Sequence, residues 1–363
     1  MISKKTTSNS NRKSNFELLR IIAMLMIVFH HVDLVIPNWS TNINFTKIFV
    51  VFSLGSLGKA GVDLFALITG YFMYNKVIKA KRFFRVWLDV DFYSWLTLIT
   101  LLILGVTISF KDIVKFIFPV VFSLRWYATA YLILYLLLPF VNLIIRRINP
   151  YQFSYLLLIL LLVLSIMPTI KQNVAYSDLA WIMFVYLIGA FISKYNKQIK
   201  NKSSTKIELL FLFGSLFLII LSIVCVHFVT RNTGYFKNNE GYFFYQNYSI
   251  LVLIFSICLF MLFDNINLKS NVINSISKLM FGVYLSHAPI LKFFLPNYIR
   301  NLDLASNSRN FYIFVFFAPL IIFLFFSALE YVRLKLLNNL LDRIANKLSL
   351  IFSTFKTSIL KLL

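Results

Sequence analysis

The sequence predicts an all-α fold, a polytopic integral membrane bundle of about ten transmembrane helices with both termini cytoplasmic. Three observations predict it. Hydrophobic residues make up 60% of the 363-residue chain and charged residues only 13%, too little charge for the surface of a water-soluble globule. Mean hydropathy is +0.80, and the apolar residues fall in continuous runs long enough to cross a bilayer as helices, which excludes the alternating pattern of a β-barrel. Lys and Arg gather in alternate segments between these runs, as positive-inside topology requires.

Windows of about 20 apolar residues place the spans near 16–36, 50–74, 86–108, 124–145, 152–168, 179–194, 207–229, 248–264, 277–295 and 311–333. The first is preceded by Lys4, Lys5, Arg12 and Lys13 and carries no small-residue cleavage site, so it is expected to remain as a span and not to leave as a signal peptide. Lys76, Lys79, Lys81, Arg82 and Arg85 lie between the second and third runs, and Arg146 and Arg147 follow the fourth. Lys194, Lys197, Lys200, Lys202 and Lys206 separate the sixth and seventh, and Lys269 and Lys278 the eighth and ninth. Basic residues resume after the tenth at Arg333, Lys335, Arg343, Lys347, Lys356 and Lys361. The intervening loops hold far fewer, so the chain has an even number of spans. Forty Phe lie mostly inside the runs, with 19 Tyr and five Trp near many run ends, the distribution of lipid-facing side chains and interfacial anchors.

Residues 1–333 form the expected transmembrane domain, and 334–363 a basic amphipathic cytoplasmic tail with apolar residues at helical spacing, suited to the inner leaflet. The net charge of +23 is explained by topology. Without nucleic-acid motifs it does not point to a nucleic-acid partner. Cys225 and Cys258 sit in apolar runs without metal-ligand spacing. No Gly-rich phosphate loop, repeat or linker is evident, which removes many enzyme classes.

Ionisable groups inside spans cost several kcal/mol, roughly 2.5–3.5 for Arg or Asp at mid-helix, and so usually face a cavity or a partner. In the first span Glu17 and Arg20 lie one turn apart and are able to pair. Arg20 and His31 are eleven residues apart, three turns on one face and roughly 16 Å along the axis. His30 points about 100° away and is expected to be a packing or interfacial residue. An imidazole is a competent general base near neutral pH, whereas a guanidinium binds anions. Taken singly, Arg20 also reads as a snorkelling anchor and His31 as a hydrogen-bonded core residue. Their shared face favours function.

Lys59 and Asp63 are four apart in the second run and suit an ion pair. Arg82 and Arg85 lie one turn apart at a cytoplasmic end, a geometry that holds phosphate from two sides or simply marks the inner face. Tyr284 and His287 lie one turn apart in the ninth run, at a depth that overlaps His31, and a structural histidine is the plainer reading there. Asp89, Asp91, Glu330 and Arg333 lie near interfaces, where solvation or local pairing is expected.

ELLRIIAMLMIVFHH, GVDLFALITGY, the Arg82-x-x-Arg85 pair, RWYATAYLILYLLLP, VYLIGAFI and FGVYLSH occur in this order over most of the chain. Together they resemble membrane acyltransferase family 3, the O-acyltransferases of cell-surface polysaccharides. The resemblance implies about ten helices, acetyl-CoA as donor substrate with no permanently bound cofactor and no metal, and acetylation of a sugar hydroxyl. It further implies that Arg20 and His31 are catalytic and that Arg82 and Arg85, with Arg20, bind the coenzyme. Asp63, Tyr284 and His287 are candidate substrate-binding or supporting residues. Thr69-Gly70 stands where the family often has Ser-Gly, which retains the hydroxyl and leaves only close packing in question. The implied partners are acetyl-CoA, a glycan or lipid-linked saccharide acceptor and membrane lipid. The implied location is a bacterial cell membrane, with capsule, exopolysaccharide or wall glycan as acceptor. A glycan exporter or flippase would also need many helices, a polar cavity and basic inner loops, and is the rival expectation.

Overall fold

The structure, a computed structural model, describes residues 12–33, 45–172, 174, 176–202, 204–236, 243–288, 291, 304 and 307–362. Every regular element among them is helical. In chain order they are α1 (Ser14–Asp33), α2 (Phe45–Met73), α3 (Ala80–Ile103), α4 (Phe110–Ile117), α5 (Trp126–Arg147), α6 (Pro150–Leu161), α7 (Asp178–Lys194), α8 (Asn196–Lys202), α9 (Thr205–Thr233), α10 (Ile250–Asn265), α11 (Asn271–Ile276), α12 (residues 280–288) and α13 (Ser308–Leu362).

Among the described residues seven helices are long and apolar enough to cross a membrane: Ser14–Val32, Phe45–Met73, Ala80–Ile103, Trp126–Arg147, Pro150–Ile170, Thr205–Thr233 and Ser308–Thr354. The chain is thus a multi-pass membrane protein. The runs expected at 179–194 and 248–264 are helices of 17 and 16 residues, α7 and α10, and residues 280–288 of the run expected at 277–295 are helical as α12. Most of the ninth run beyond residue 288 lies outside the described residues.

Local chemistry sets the helix ends. Asn149 and Gln152 form a reciprocal capping box with Pro150 at the first helical position, so only Ile148 and Asn149 separate α5 from α6. Ser109, Ser249 and Ser270 accept from the backbone amides of Asp112, Val252 and Ile273 at the starts of α4, α10 and α11. Gly234 ends α9 at φ 74°, a left-handed cap that a side chain disfavours. After α6 the helix opens into a π turn, Leu162–Ile166. Pro168 follows and has no amide to donate to the carbonyl four residues back, which suits a locally widened ladder.

α2 is the central helix, packed on α1 and on α7. The second contact is as close as backbones allow: a Cβ on Gly70 would strike the Tyr186 carbonyl, and one on Gly189 would strike that of Leu67. Gly70 is therefore required by packing, and the neighbouring Thr69 hydroxyl donates to the Phe65 carbonyl at 2.8 Å. Trp181, Phe184 and Tyr186 of α7 are fully buried in this core. Phe211, Phe213 and Phe217 of α9 and Phe316, Phe317 and Phe325 of α13 are exposed, the pattern of helix faces turned to lipid.

α13 passes through residue 334 without a break, so the start of the expected tail continues the last span. Its Leu341 and Ala345 are buried. Asp89 and Glu330 are not solvated. Arg333 bridges them, at 2.7 Å to Asp89 Oδ1 and 2.5 Å to Glu330 Oε1, and the Tyr93 hydroxyl donates to Glu330. Gly282 of α12 leaves the space in which the Glu330 carboxylate sits. Buried charges persist only when paired and hydrogen-bonded, and this set fastens α13 to α3.

Candidate active site

α1, α2, α3, α5 and the 271–288 region enclose a cavity of about 520 Å³. Its basic residues are Arg12, Arg20, Arg82 and Lys278, on the side that positive-inside counting assigns to the cytoplasm. Farther in, the lining becomes apolar and aromatic, with Val62, Phe65, Tyr127, Tyr131, Met280 and Tyr284 among it. Thr69 also contributes. A basic mouth above an apolar shaft suits an amphiphilic ligand with an anionic head and a narrow tail.

Arg20 is held in place within the mouth. Its Nη1 donates to Glu17 Oε1 at 2.6 Å, and the other Glu17 oxygen accepts from the Ser277 hydroxyl at 2.5 Å. The pair expected from their spacing is formed, and Ser277 joins it to the region before α12. Arg20 also lies over the Phe72 ring, 6.0 Å from its centroid.

The two arginines of the Arg-x-x-Arg pair separate. Arg82 lines the cavity. Arg85 is committed elsewhere: it contacts Asp89 at 3.1 Å, Asp342 at 2.5 Å and the Asn338 carbonyl at 3.2 Å. One turn of helix at this position puts the second guanidinium against α13, where the Asp342 carboxylate and the Asn338 carbonyl take it.

One turn beyond the cavity lining, α1 and α12 bring two histidines together. His31 Nδ1 lies 2.8 Å from His287 Nε2, and His287 Nδ1 lies 2.7 Å from the Val283 carbonyl. A carbonyl only accepts, so His287 carries its proton on Nδ1 and its Nε2 is the acceptor in the neutral ring. His31 then donates from Nδ1. Its Nε2 is left with the free lone pair, the arrangement of a base oriented by a second group. Neither imidazole lines the cavity; Ile27 and Tyr284, one turn before His31 and His287, do.

His30 faces away, as its angle requires: it is buried, 3.1 Å from the Tyr245 hydroxyl. The ion pair suggested by the Lys59 and Asp63 spacing is not found among the described residues. Asp63 accepts from Trp181 Nε1 at 2.8 Å, and Lys59 lies over the Tyr245 ring at 5.8 Å. Residue spacing gave no means of choosing Arg12, Tyr127, Tyr131, Ser277 and Lys278 as cavity residues. Tyr127 and Tyr131 do show the four-residue spacing of a shared helix face in RWYATAY.

The family model of the acyltransferase domain matches residues 13–329. The chain belongs to membrane acyltransferase family 3. No curated protein and no solved structure matches it. As a membrane acyltransferase, the chain must bring an activated acyl group and a nucleophilic acceptor to one point. The matched segment contains Arg20, Arg82 and Lys278 of the basic mouth, the shaft and both histidines; it begins one residue after Arg12 and ends one residue before Glu330.

Proposed function

We propose that this membrane acyltransferase takes an acetyl group from cytoplasmic acetyl-CoA and delivers it to a hydroxyl of a cell-surface polysaccharide, or of its lipid-linked precursor, in a bacterial cell membrane. The observation that carries this reading is the alignment of the basic mouth, the apolar shaft and the His31–His287 pair along one side of α1. Arg12, Arg20, Arg82 and Lys278 are the groups that would meet the coenzyme phosphates. The shaft suits the pantetheine arm, and the axial rise of roughly 16 Å from Arg20 to His31 is comparable to that arm extended. One turn of lining, Ile27 and Tyr284, must yield for the thioester to reach His31.

In the reaction His31 Nε2 takes the proton of the sugar hydroxyl as its oxygen attacks the thioester carbonyl. Collapse of the tetrahedral intermediate restores the carbonyl and expels the coenzyme thiolate, which takes the proton back from His31. His287 keeps His31 in the required tautomer, and Glu17 holds Arg20 toward the donor. Arg85 is reassigned as a structural tie, and Asp63 as a buried partner of Trp181.

The test is chemical. A strain lacking this protein is expected to make the surface polymer without its O-acetyl groups, read by proton NMR of the purified glycan. Polymer lost altogether from the surface would instead identify an exporter. Purified His31→Ala that still transferred acetyl at the wild-type rate would sink the catalytic assignment.

A further inference from the structure

Arg125 lies just before α5 and is 7% exposed. Its Nε donates to the Leu285 carbonyl at 3.1 Å and its Nη1 to that of Leu124 at 3.4 Å. Nη2 is buried with no hydrogen-bond partner among the described residues. A permanent cation with an unused donor in a low-dielectric interior is costly unless something else completes it. No carboxylate pairs with it among the described residues, unlike Arg20, Arg85 and Arg333.

Its position is specific. Leu285 stands on α12 between Tyr284, which lines the shaft, and His287, so the guanidinium is fixed to the helix that carries half of the imidazole pair. The charge is close enough to act electrostatically on His31, His287 and Tyr284. Two residues on, Tyr127 lines the shaft and packs on Tyr284 with ring centroids 5.8 Å apart. The backbone leading in is itself constrained: Ser123 takes φ 51°, a left-handed conformation disfavoured for a residue with a side chain, and the Leu124 amide closes back on the Pro119 carbonyl at 2.9 Å.

We propose that Arg125 is a further catalytic residue, whose free Nη2 donates to the oxygen that becomes negative when the thioester carbonyl is attacked beside His31. The proposal rests on the acyl-transfer reading above. As the hydroxyl oxygen bonds to the carbonyl carbon and its proton passes to His31 Nε2, the carbonyl π pair moves onto oxygen, where Arg125 meets it. When the pair returns to reform the carbonyl, the carbon–sulfur bond breaks and the thiolate takes the proton from His31. The guanidinium gains and loses nothing. It stabilises charge that exists only at the transition state and in the intermediate, so its contribution falls on the rate of the chemical step and not on donor binding.

The experiment uses the full chain in membrane vesicles of the deletion strain, with radiolabelled acetyl-CoA as donor and incorporation into the endogenous glycan as readout. CoA binding to the purified variants is measured alongside. Arg125→Gln keeps a donor for the Leu285 carbonyl but loses the charge, and Arg125→Lys keeps the charge on one nitrogen that cannot hold both anchors and the free position. The maximal rate is expected to fall about 10²–10³-fold in Arg125→Gln and about tenfold in Arg125→Lys, by the loss of one hydrogen bond to charge. The KM for acetyl-CoA and the Kd for CoA should stay within about threefold of wild type, a split that a purely structural role would not produce. If Arg125→Gln does not fold, Arg125→Lys decides alone. Either variant, folded and turning over within about threefold of wild type while His31→Ala is inactive, overturns the proposal and leaves the acyl-transfer reading standing. A raised KM or Kd at unchanged maximal rate overturns it as well. Full activity in both His31→Ala and the Arg125 variants would instead overturn the reading on which it rests.

Discussion

His31 of α1 donates from Nδ1 to Nε2 of His287 on α12, 2.8 Å away, across 256 residues of chain. The direction of this bond follows from the Val283 carbonyl, which fixes the His287 proton, and it decides which nitrogen of His31 is basic. Removing the acceptor frees the His31 ring to turn or to adopt the other tautomer. His287→Ala is therefore expected to lower the maximal rate of acetyl transfer about a hundredfold, at the lower end of the range for losing general-base catalysis, while His31→Ala loses it entirely. His287→Gln, whose amide oxygen can accept the same bond, should recover part of the rate. Release of free CoA by purified variants measures all three, and a wild-type rate in His287→Ala would remove the orienting role.

The contrast between these histidines and the two arginines of α3 shows what sequence alone makes legible. Helical periodicity and topology are properties of one helix, so they set Arg20 and His31 on a common face and turned His30 away. Contacts between helices are not. Spacing is silent on the α12 partner of His31, which the sequence brought no closer than an overlapping depth. It also gave Arg82 and Arg85 equal standing, because the carboxylate that claims Arg85 lies 257 residues away on a helix that the sequence treats as a surface tail. The Lys59 and Asp63 pair fails for the same reason: four-residue spacing permits an ion pair, but Trp181 on α7 and Tyr245 offer competing partners. Arg125 lies at the start of the fourth run, just before α5, where spacing names no partner for it, and only its buried, unfilled donor draws attention to it.

The division between Arg82 and Arg85 is measurable. Arg82→Gln removes a cavity cation, and the KM for acetyl-CoA is expected to rise about tenfold at an unchanged maximal rate, the effect of one lost hydrogen bond to charge. The rise should shrink at high salt, as befits a contact screened over a Debye length of about 10 Å at 0.1 M. Arg85→Gln should leave the KM within about threefold of wild type but lower the thermal unfolding midpoint, and Asp342→Asn should do the same. Equal KM increases in Arg82→Gln and Arg85→Gln would restore the phosphate-binding role to both.

The shaft supplies the third test, because it separates donor binding from donor delivery. Val62 lines the cavity between the basic mouth and the histidines, and only part of its surface is buried. A larger ring at this position therefore projects into open space instead of overfilling a packed core. In Val62→Phe the phosphate-binding residues are untouched, so CoA should still bind at the mouth with a Kd within a few-fold of wild type. The thioester cannot pass the added ring to reach His31, and the maximal rate should fall at least about tenfold, the cost expected when reacting atoms are held short of attack distance. Titration of CoA against the purified variant, beside the rate of label transfer in vesicles, distinguishes the two effects. Unimpaired transfer in Val62→Phe would mean that the acetyl group reaches His31 by some route other than this cavity.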